Sequence, residues 1–110
     1  MLYLIRMKAM EGAITAPPEV NSRIIEQMVL PTLKTLVSLE HDHKLTGGVF
    51  AGQREIIVIV DLPSNEDAGK FVMNLPWWPV HNCEIIPLQP IQSHLNFAEQ
   101  TLQKIKSGSK

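Results

Sequence analysis

Two side chains near the end of the chain are the best candidates for chemistry. His81 and Cys83 lie two residues apart, so in a strand they share one face. An imidazole can give or take a proton near neutral pH, and a Cys–His pair forms a thiolate nucleophile if the sulfur and nitrogen touch. Because a free cysteine is more often a small buried hydrophobe, we expect His81 to be the acid or base of a pocket.

The tryptophan pair directly before these residues forms a stiffened loop. Trp77 and Trp78 lie between Pro76 and Pro79. The ring of each proline fixes its own backbone angle φ, so the loop is restricted on both sides of the tryptophans. Two adjacent indoles cannot both face inward from one regular strand. We therefore expect one indole to pack inward and the other to roof a pocket that binds substrate, or to contact a neighbouring subunit.

Two charged residues could complete such a pocket. Arg6 lies in an apolar segment, where it would bind the carboxylate of a ligand if it faces a cavity; otherwise it is solvated at the end of a sheet. Glu26 flanks the apolar stripe of a predicted helix. It is either a catalytic base facing the cavity or a surface carboxylate.

The chain offers little for a metal ion. His41 and His43 would share a face if their segment is extended, but two imidazoles need a third ligand from elsewhere. The alternative is a solvated helix end, where the helix dipole favours cations. We expect no metal and no organic cofactor.

Length, charge and cysteine content exclude several classes of protein. The chain has 110 residues, a formal net charge of -1 and one cysteine, which suits a single domain in a reducing cytoplasm. It has no basic stripe that would bind nucleic acid. The apolar N-terminus is interrupted by Arg6 and Lys8, so neither a signal peptide nor a membrane span is expected.

The order of predicted elements is β-α-β-β-α-β followed by a helix. Alternating patterns predict strands over 2–10, 44–52, 55–62 and 81–90. Helical patterns predict helices over 18–40, with a kink or a break at Pro31 that gives two short helices, after Ser64, and over 93–106. This is the ferredoxin-like α+β arrangement, with two helices on one face of a four-stranded antiparallel sheet. We assign residues 1–90 to this domain and 91–110 to an amphipathic helix with a frayed polar tail.

The strand "EIIVIVDL", residues 55–62, is apolar on both faces. Helices can cover only one face of the sheet, and soluble monomers rarely expose large aliphatic patches. We expect Ile56, Val58 and Val60 to be left bare and to meet the same face of a second copy, forming a homodimeric β-barrel. The alternative is a monomer whose C-terminal helix covers that face.

Three blocks of the sequence resemble the muconolactone isomerase family. They are "MLYLIRMK", "AGQREIIVIVDLPSNEDA" and "LPWWPVHNCEIIPLQP", and the resemblance covers residues 1–90. It implies a dimeric α/β barrel, often built into a larger ring, that isomerises a small lactone or related carboxylate by a proton shift without a cofactor. The alternative is a non-catalytic oligomeric domain, for binding small molecules or as a scaffold, that kept the fold and lost the site. Gly47, Gly48 and Val49 favour the latter, because the isomerases carry Trp, Arg and His there.

Overall fold

Four antiparallel strands form one sheet in the order β2-β3-β1-β4. The computed structural model describes residues 1–108. The predicted ferredoxin-like α+β arrangement is confirmed, with β1 and β3 at the centre. The strands are β1 (Leu2–Ala9), β2 (Leu45–Val49), β3 (Glu55–Asp61) and β4 (His81–Leu88), and the helices are α1 (Glu11–Ile14), α2 (Pro18–Ile24), α3 (Leu30–His41), α4 (Asn65–Met73) and α5 (Ile91–Lys106).

The core lies between the helices and one face of the sheet. Tyr3, Ile5 and Met7 of β1 are fully buried there, and the register places them opposite Val60, Val58 and Ile56 of β3. Burial of such side chains contributes roughly 1.5–3 kcal/mol each. The helices therefore cover the face of the sheet that carries Tyr3, Ile5 and Met7 of β1 and their partners on β3.

The expectation about the bare face of β3 is wrong. Ile56, Val58 and Val60 face the helices, and Val58 and Val60 are almost completely buried. The uncovered face, which we call the open face, carries Ile57 and Ile59 instead. Which face of β3 is covered depends on the side to which the crossover helices pack. A strand that is apolar on both faces does not indicate that side.

The first long helical segment contains a π-turn rather than a break at Pro31. Between α2 and α3, residues Ile25–Val29 form a π-helix, in which the Leu30 N–H donates to the Ile25 carbonyl. Pro31 sits in the first turn of α3. Because proline has no N–H to donate, the irregularity lies one turn earlier, where wider hydrogen bonds absorb it.

The fourth helix, α4, begins at the predicted cap. The Ser64 hydroxyl accepts a hydrogen bond from the Asp67 N–H at 3.2 Å, which satisfies one of the free donors at the helix start. Ala68 and Val72 are buried against the sheet side of the core. This helix therefore fixes the approach of the tryptophan loop that follows it.

The C-terminal helix, α5, extends from the body of the protein. Within the described range none of its residues is buried, and the described chain measures 68 × 29 × 26 Å. The helix does not cover the open face of its own sheet. Of the predicted frayed tail, residues 109 and 110 lie outside the described residues. No helix in residues 1–108 is long and apolar enough to cross a membrane.

Candidate functional site

A cavity of about 370 Å³ lies between the sheet and the helical segment over residues 11–33. Its walls are mostly aliphatic. The polar contributors are Asn21, Arg54, Glu55 and His81, and the apolar ones include Met7, Ala9, Ile14, Ile24, Ile25, Val29, Leu33, Val49, Ile56, Trp77 and Val80. The volume and apolar character are those of a small-molecule pocket.

The polar end of the cavity is formed by residues that lie side by side across the sheet, Arg54 before β3, Ala9 on β1 and His81 on β4; we call these three residues the row. Ala9 of β1 pairs with His81 of β4, and the Ala9 N–H donates to the Arg54 carbonyl at 3.0 Å. Residues paired across strands share a face, so Arg54 and His81 both start on the cavity side. With two strand spacings of about 4.8 Å between them, their backbones lie roughly 10 Å apart, a span suited to a small ligand.

His81, in the wall of the cavity, is held in a defined orientation. Its ring stacks on Trp77 with centroids 4.0 Å apart and planes at 21°, and its Nδ1 lies 3.3 Å from the Trp77 carbonyl oxygen. A carbonyl only accepts, so Nδ1 carries the proton in this contact. Burial lowers the pKa of His81, and the hydrogen bond to Trp77 opposes this shift more weakly. The side chain is therefore neutral near pH 7.

The second ring nitrogen of His81, Nε2, has no hydrogen-bond partner among residues 1–108. In that range no fully buried side-chain nitrogen or oxygen lacks a partner. Nε2 is therefore not fully buried, and the His81 residue lines the cavity. A neutral imidazole with its proton on Nδ1 presents a lone pair at Nε2, which can accept a proton from a bound molecule.

Trp77 is fixed by two buried contacts. Its backbone N–H donates to the Thr32 hydroxyl at 3.0 Å, and its indole Nε1–H donates to the Met7 sulfur at 3.4 Å. The Thr32 hydroxyl in turn donates to the Met28 carbonyl at 2.7 Å, within the π-turn. Because Trp77 supports the His81 ring, this chain of contacts connects the irregular helix to the site.

Arg6 belongs to the open face of the sheet and does not line the cavity, although its ion-pair partner Glu55 does. Its guanidinium forms an ion pair with Glu55 at 2.6 Å and lies 3.9 Å from Glu84 and 6.0 Å from the Phe50 ring centroid. The hydrogen bond and charge of Glu55 raise the pKa of Arg6. The role of Arg6 in substrate binding stays a prediction, because its guanidinium is already paired with Glu55 and the residue itself does not line the cavity.

The other predicted site residues divide between the cavity and the surface. His81 and Trp77 come together in the cavity wall. Trp78 is 44% exposed and Glu26 is exposed, and neither lines the cavity. Burial raises the pKa of the Cys83 thiol, whose sulfur lies 4.0 Å from the His81 carbonyl oxygen rather than against the ring.

Three residues of the site, Arg54, Asn21 and Thr32, are not among those that the sequence pattern predicts. Arg54 falls between the strands predicted over 44–52 and 55–62, but in the structure it directly precedes β3 and so begins the row that ends at His81. The antiparallel register of β1 with its two neighbours could have revealed this, because it aligns the start of β3 with the start of β4. Thr32 has no such signal, since its partner Trp77 is distant in sequence.

No metal site emerges from the histidines at the end of α3. His43 has a positive φ of 59°, in the left-handed region that ends the helix. Among residues 1–108 no group of three or more His, Cys, Asp or Glu side chains could hold a metal ion. The fold therefore leaves His41 and His43 as residues of a helix terminus.

Comparison with known proteins gives a likeness in structure alone. A crystal structure of muconolactone isomerase at 3.3 Å resolution superposes with a TM-score of 0.64 and 20% sequence identity, over 82% of this chain and 90% of that chain. No protein-family model matches the sequence, and no curated protein matches it. At this identity the likeness shows a shared fold.

Proposed function

We propose that this protein is a cofactor-free isomerase that moves a proton next to the carbonyl of a small, largely apolar lactone or carboxylate. The carrying observation is His81 itself, whose Nδ1 lies 3.3 Å from the Trp77 carbonyl oxygen and whose residue lines the cavity. The fold shared with muconolactone isomerase is consistent with this chemistry.

In the proposed reaction His81 acts first as base and then as acid. Nε2 takes a proton from the carbon next to the carbonyl, and the electron pair of that C–H bond moves into the carbonyl to form an enolate. The imidazolium then returns the proton to a different carbon of the conjugated system, so the double bond shifts and no atom is gained or lost. The lowered pKa of His81 keeps the imidazole neutral before it takes the proton, and it makes the imidazolium a stronger acid for the second step.

Arg54 is the cation that supports the negative charge in this proposal. It lies at the cavity on the row shared with His81, and among residues 1–108 no acidic side chain forms an ion pair with it. A free guanidinium can bind a ligand carboxylate by two hydrogen bonds or stabilise an enolate oxygen.

Proton exchange in D₂O tests the proposal directly. A panel of small lactones and unsaturated carboxylates is incubated with the protein, and loss of the α-proton signal is followed by NMR. We expect exchange and isomerisation with wild type, loss of both by more than about 100-fold in His81→Gln, and a raised KM in Arg54→Met.

Two comparison variants decide between the cavity and the alternative assignments from sequence. Arg6→Met and Glu26→Gln alter residues outside the cavity, so both should retain turnover. Loss of turnover in either variant with full activity in His81→Gln would contradict the proposed roles.

A second candidate function is binding without catalysis. The observation favouring it is the aliphatic lining, in which His81 is the only imidazole among the described residues. In that case ligands of the same panel raise the Tm of wild type and His81→Gln alike, while the α-proton never exchanges.

A further inference from the structure

We propose that the cavity binds an unsaturated monocarboxylic acid with an apolar chain, about ten carbons in all, rather than a compact lactone. The carboxylate and the adjacent double bond lie at the row, and the chain extends toward Val29 and Leu33. This inference deepens the proposed function and rests on it for the double bond, which is the bond that the proton shift moves. The ligand class itself follows from where the polar residues of the cavity lie, from their charge and from the volume.

The polar residues of the cavity collect at one end of the sheet. Arg54 and His81 belong to the row, which crosses β1 at its last residue, Ala9. Helix α1 begins only two residues later, at Glu11, so the helical wall starts at this same end. Asn21, the polar residue that the helices contribute to the cavity, comes early in that wall, on α2.

The aliphatic residues of the cavity extend away from the row. Strand β2 begins at Leu45, opposite Val60, which is itself opposite Tyr3 near the start of β1. The helical segment that connects the end of β1 to Leu45 therefore runs from the row toward the far end of the sheet. Its cavity residues follow in the order Asn21, Ile24, Ile25, Val29 and Leu33.

The cavity is thus polar at one end and apolar along its length. At about 1.5 Å per residue, the helical wall from Asn21 to Leu33 extends for about 18 Å. On the sheet side the floor continues beyond the row with Met7 and Ile56, which lie opposite each other on β1 and β3. A ligand that satisfies both ends carries one polar head and an apolar chain.

The unpaired charge at the polar end is positive. Glu55 also lines the cavity, but its carboxylate is bound by Arg6 at 2.6 Å. Within the described range, 1–108, neither the Arg54 guanidinium nor the Asn21 amide has a hydrogen-bond or ion-pair partner. A guanidinium donates two parallel hydrogen bonds to a carboxylate, and an amide N–H can donate another. The head that this end favours is therefore a carboxylate.

The volume of the cavity limits the length of the chain. At about 30 Å³ per non-hydrogen atom, the share of one molecule in liquid water, the 370 Å³ of the cavity hold roughly 12 such atoms. Two of them are the carboxylate oxygens, so about ten carbons remain. Burial of each methylene strengthens binding by about fourfold, until the chain reaches the end of the cavity.

Titration of the full chain with a series of straight-chain trans-3-alkenoic acids tests the ligand class. Acids of five to fourteen carbons are titrated by calorimetry below their micellar concentrations. We expect one site per chain and a Kd that falls about fourfold for each added methylene, up to about ten carbons, without further gain beyond twelve. The methyl esters should bind at least tenfold more weakly than the acids. A Kd that is independent of chain length, or lowest for the five-carbon acid, would overturn the proposal.

Two substitutions of Val29 locate the chain in the cavity. Val29→Ala removes two carbons from the aliphatic end and should move the optimum to longer acids, whereas Val29→Phe adds four carbons and should move it to shorter ones. Val37→Ala is the matched control, because Val37 on α3 is 63% exposed and does not line the cavity. Far-UV CD and thermal unfolding establish which variants are folded. An optimum that folded Val29 variants share with the control would mean that the acids bind elsewhere, which would refute the inference.

The substitution Arg54→Met separates the head from the chain. It should raise the Kd of every acid by the same factor, at least tenfold, and leave the fourfold step per methylene unchanged. Unaltered Kd values in this variant would contradict the assignment of the carboxylate to the polar end.

Proton exchange of the same acids in D₂O distinguishes this inference from the proposed function. In a 3-alkenoic acid the proton leaves the carbon next to the carboxylate and returns to the fourth carbon, so the product is the 2-alkenoic acid with the same atoms. Length-dependent binding without exchange would refute the isomerase reaction and support the ligand class. Exchange of compact lactones alone, without length-dependent binding of acids, would support the reaction and overturn this inference.

Discussion

Replacement of Thr32 by valine should destabilise the protein and loosen the cavity. Thr32 is completely buried, and its hydroxyl accepts the Trp77 N–H at 3.0 Å while donating to the Met28 carbonyl at 2.7 Å. Valine has nearly the same shape and the same branched Cβ, so packing and helix propensity change little. The dominant effect is the loss of both hydrogen bonds.

The size of the effect follows from the burial of the Trp77 N–H. A buried donor left without an acceptor costs about 1–3 kcal/mol, which for a domain of this size lowers the Tm by roughly 4–20 °C. Because Trp77 stacks on His81, the same change should also weaken ligand binding in the cavity. Urea unfolding followed by far-UV CD, at one fixed protein concentration, measures the first effect.

Thr35→Val is the matched control for this prediction. Thr35 lies on the same helix and its hydroxyl donates to the Pro31 carbonyl at 3.0 Å, but it is exposed, so water can replace the bond. Its substitution should change the free energy of unfolding by no more than about 0.5 kcal/mol. Equal urea midpoints for the two variants would refute the role assigned to the Thr32 hydroxyl.

Two further predictions concern β2 and the titration of His81. A methyl group on Gly47 would overlap the Ile57 carbonyl oxygen and lie 2.9 Å from Val58 Cα, whereas one on Gly48 meets nothing within 4 Å; Gly47→Ala should therefore lower the free energy of unfolding in urea by about 1–3 kcal/mol, and a Gly48→Ala variant that loses as much would contradict this. Burial lowers the pKa of His81 in the folded state, so the unfolded chain binds more protons as the pH falls below about 6.5. Wild type should then lose stability relative to His81→Gln between pH 7 and pH 5.5, and parallel curves would argue against a buried neutral imidazole.

The central strands and the first turn of α4 could be read from local pattern. Alternation in β1 and the Ser64 cap depend on residues a few positions apart, and the structure has both where the pattern predicts them. The π-turn before Pro31 could be read only in part, because a missing N–H predicts a disturbance but not the side on which the helix absorbs it.

The sequence by itself determined the order of elements, the ferredoxin-like topology and the excess of apolar surface on β3. The tertiary structure decided which face of β3 is covered, which cation joins His81 at the cavity, and that α5 leaves its own sheet open. The physical reason is that helix packing, strand register and the direction of a short connection depend on contacts between residues far apart in the chain. Arg54 and His81 become neighbours only because Ala9 pairs with both of their strands.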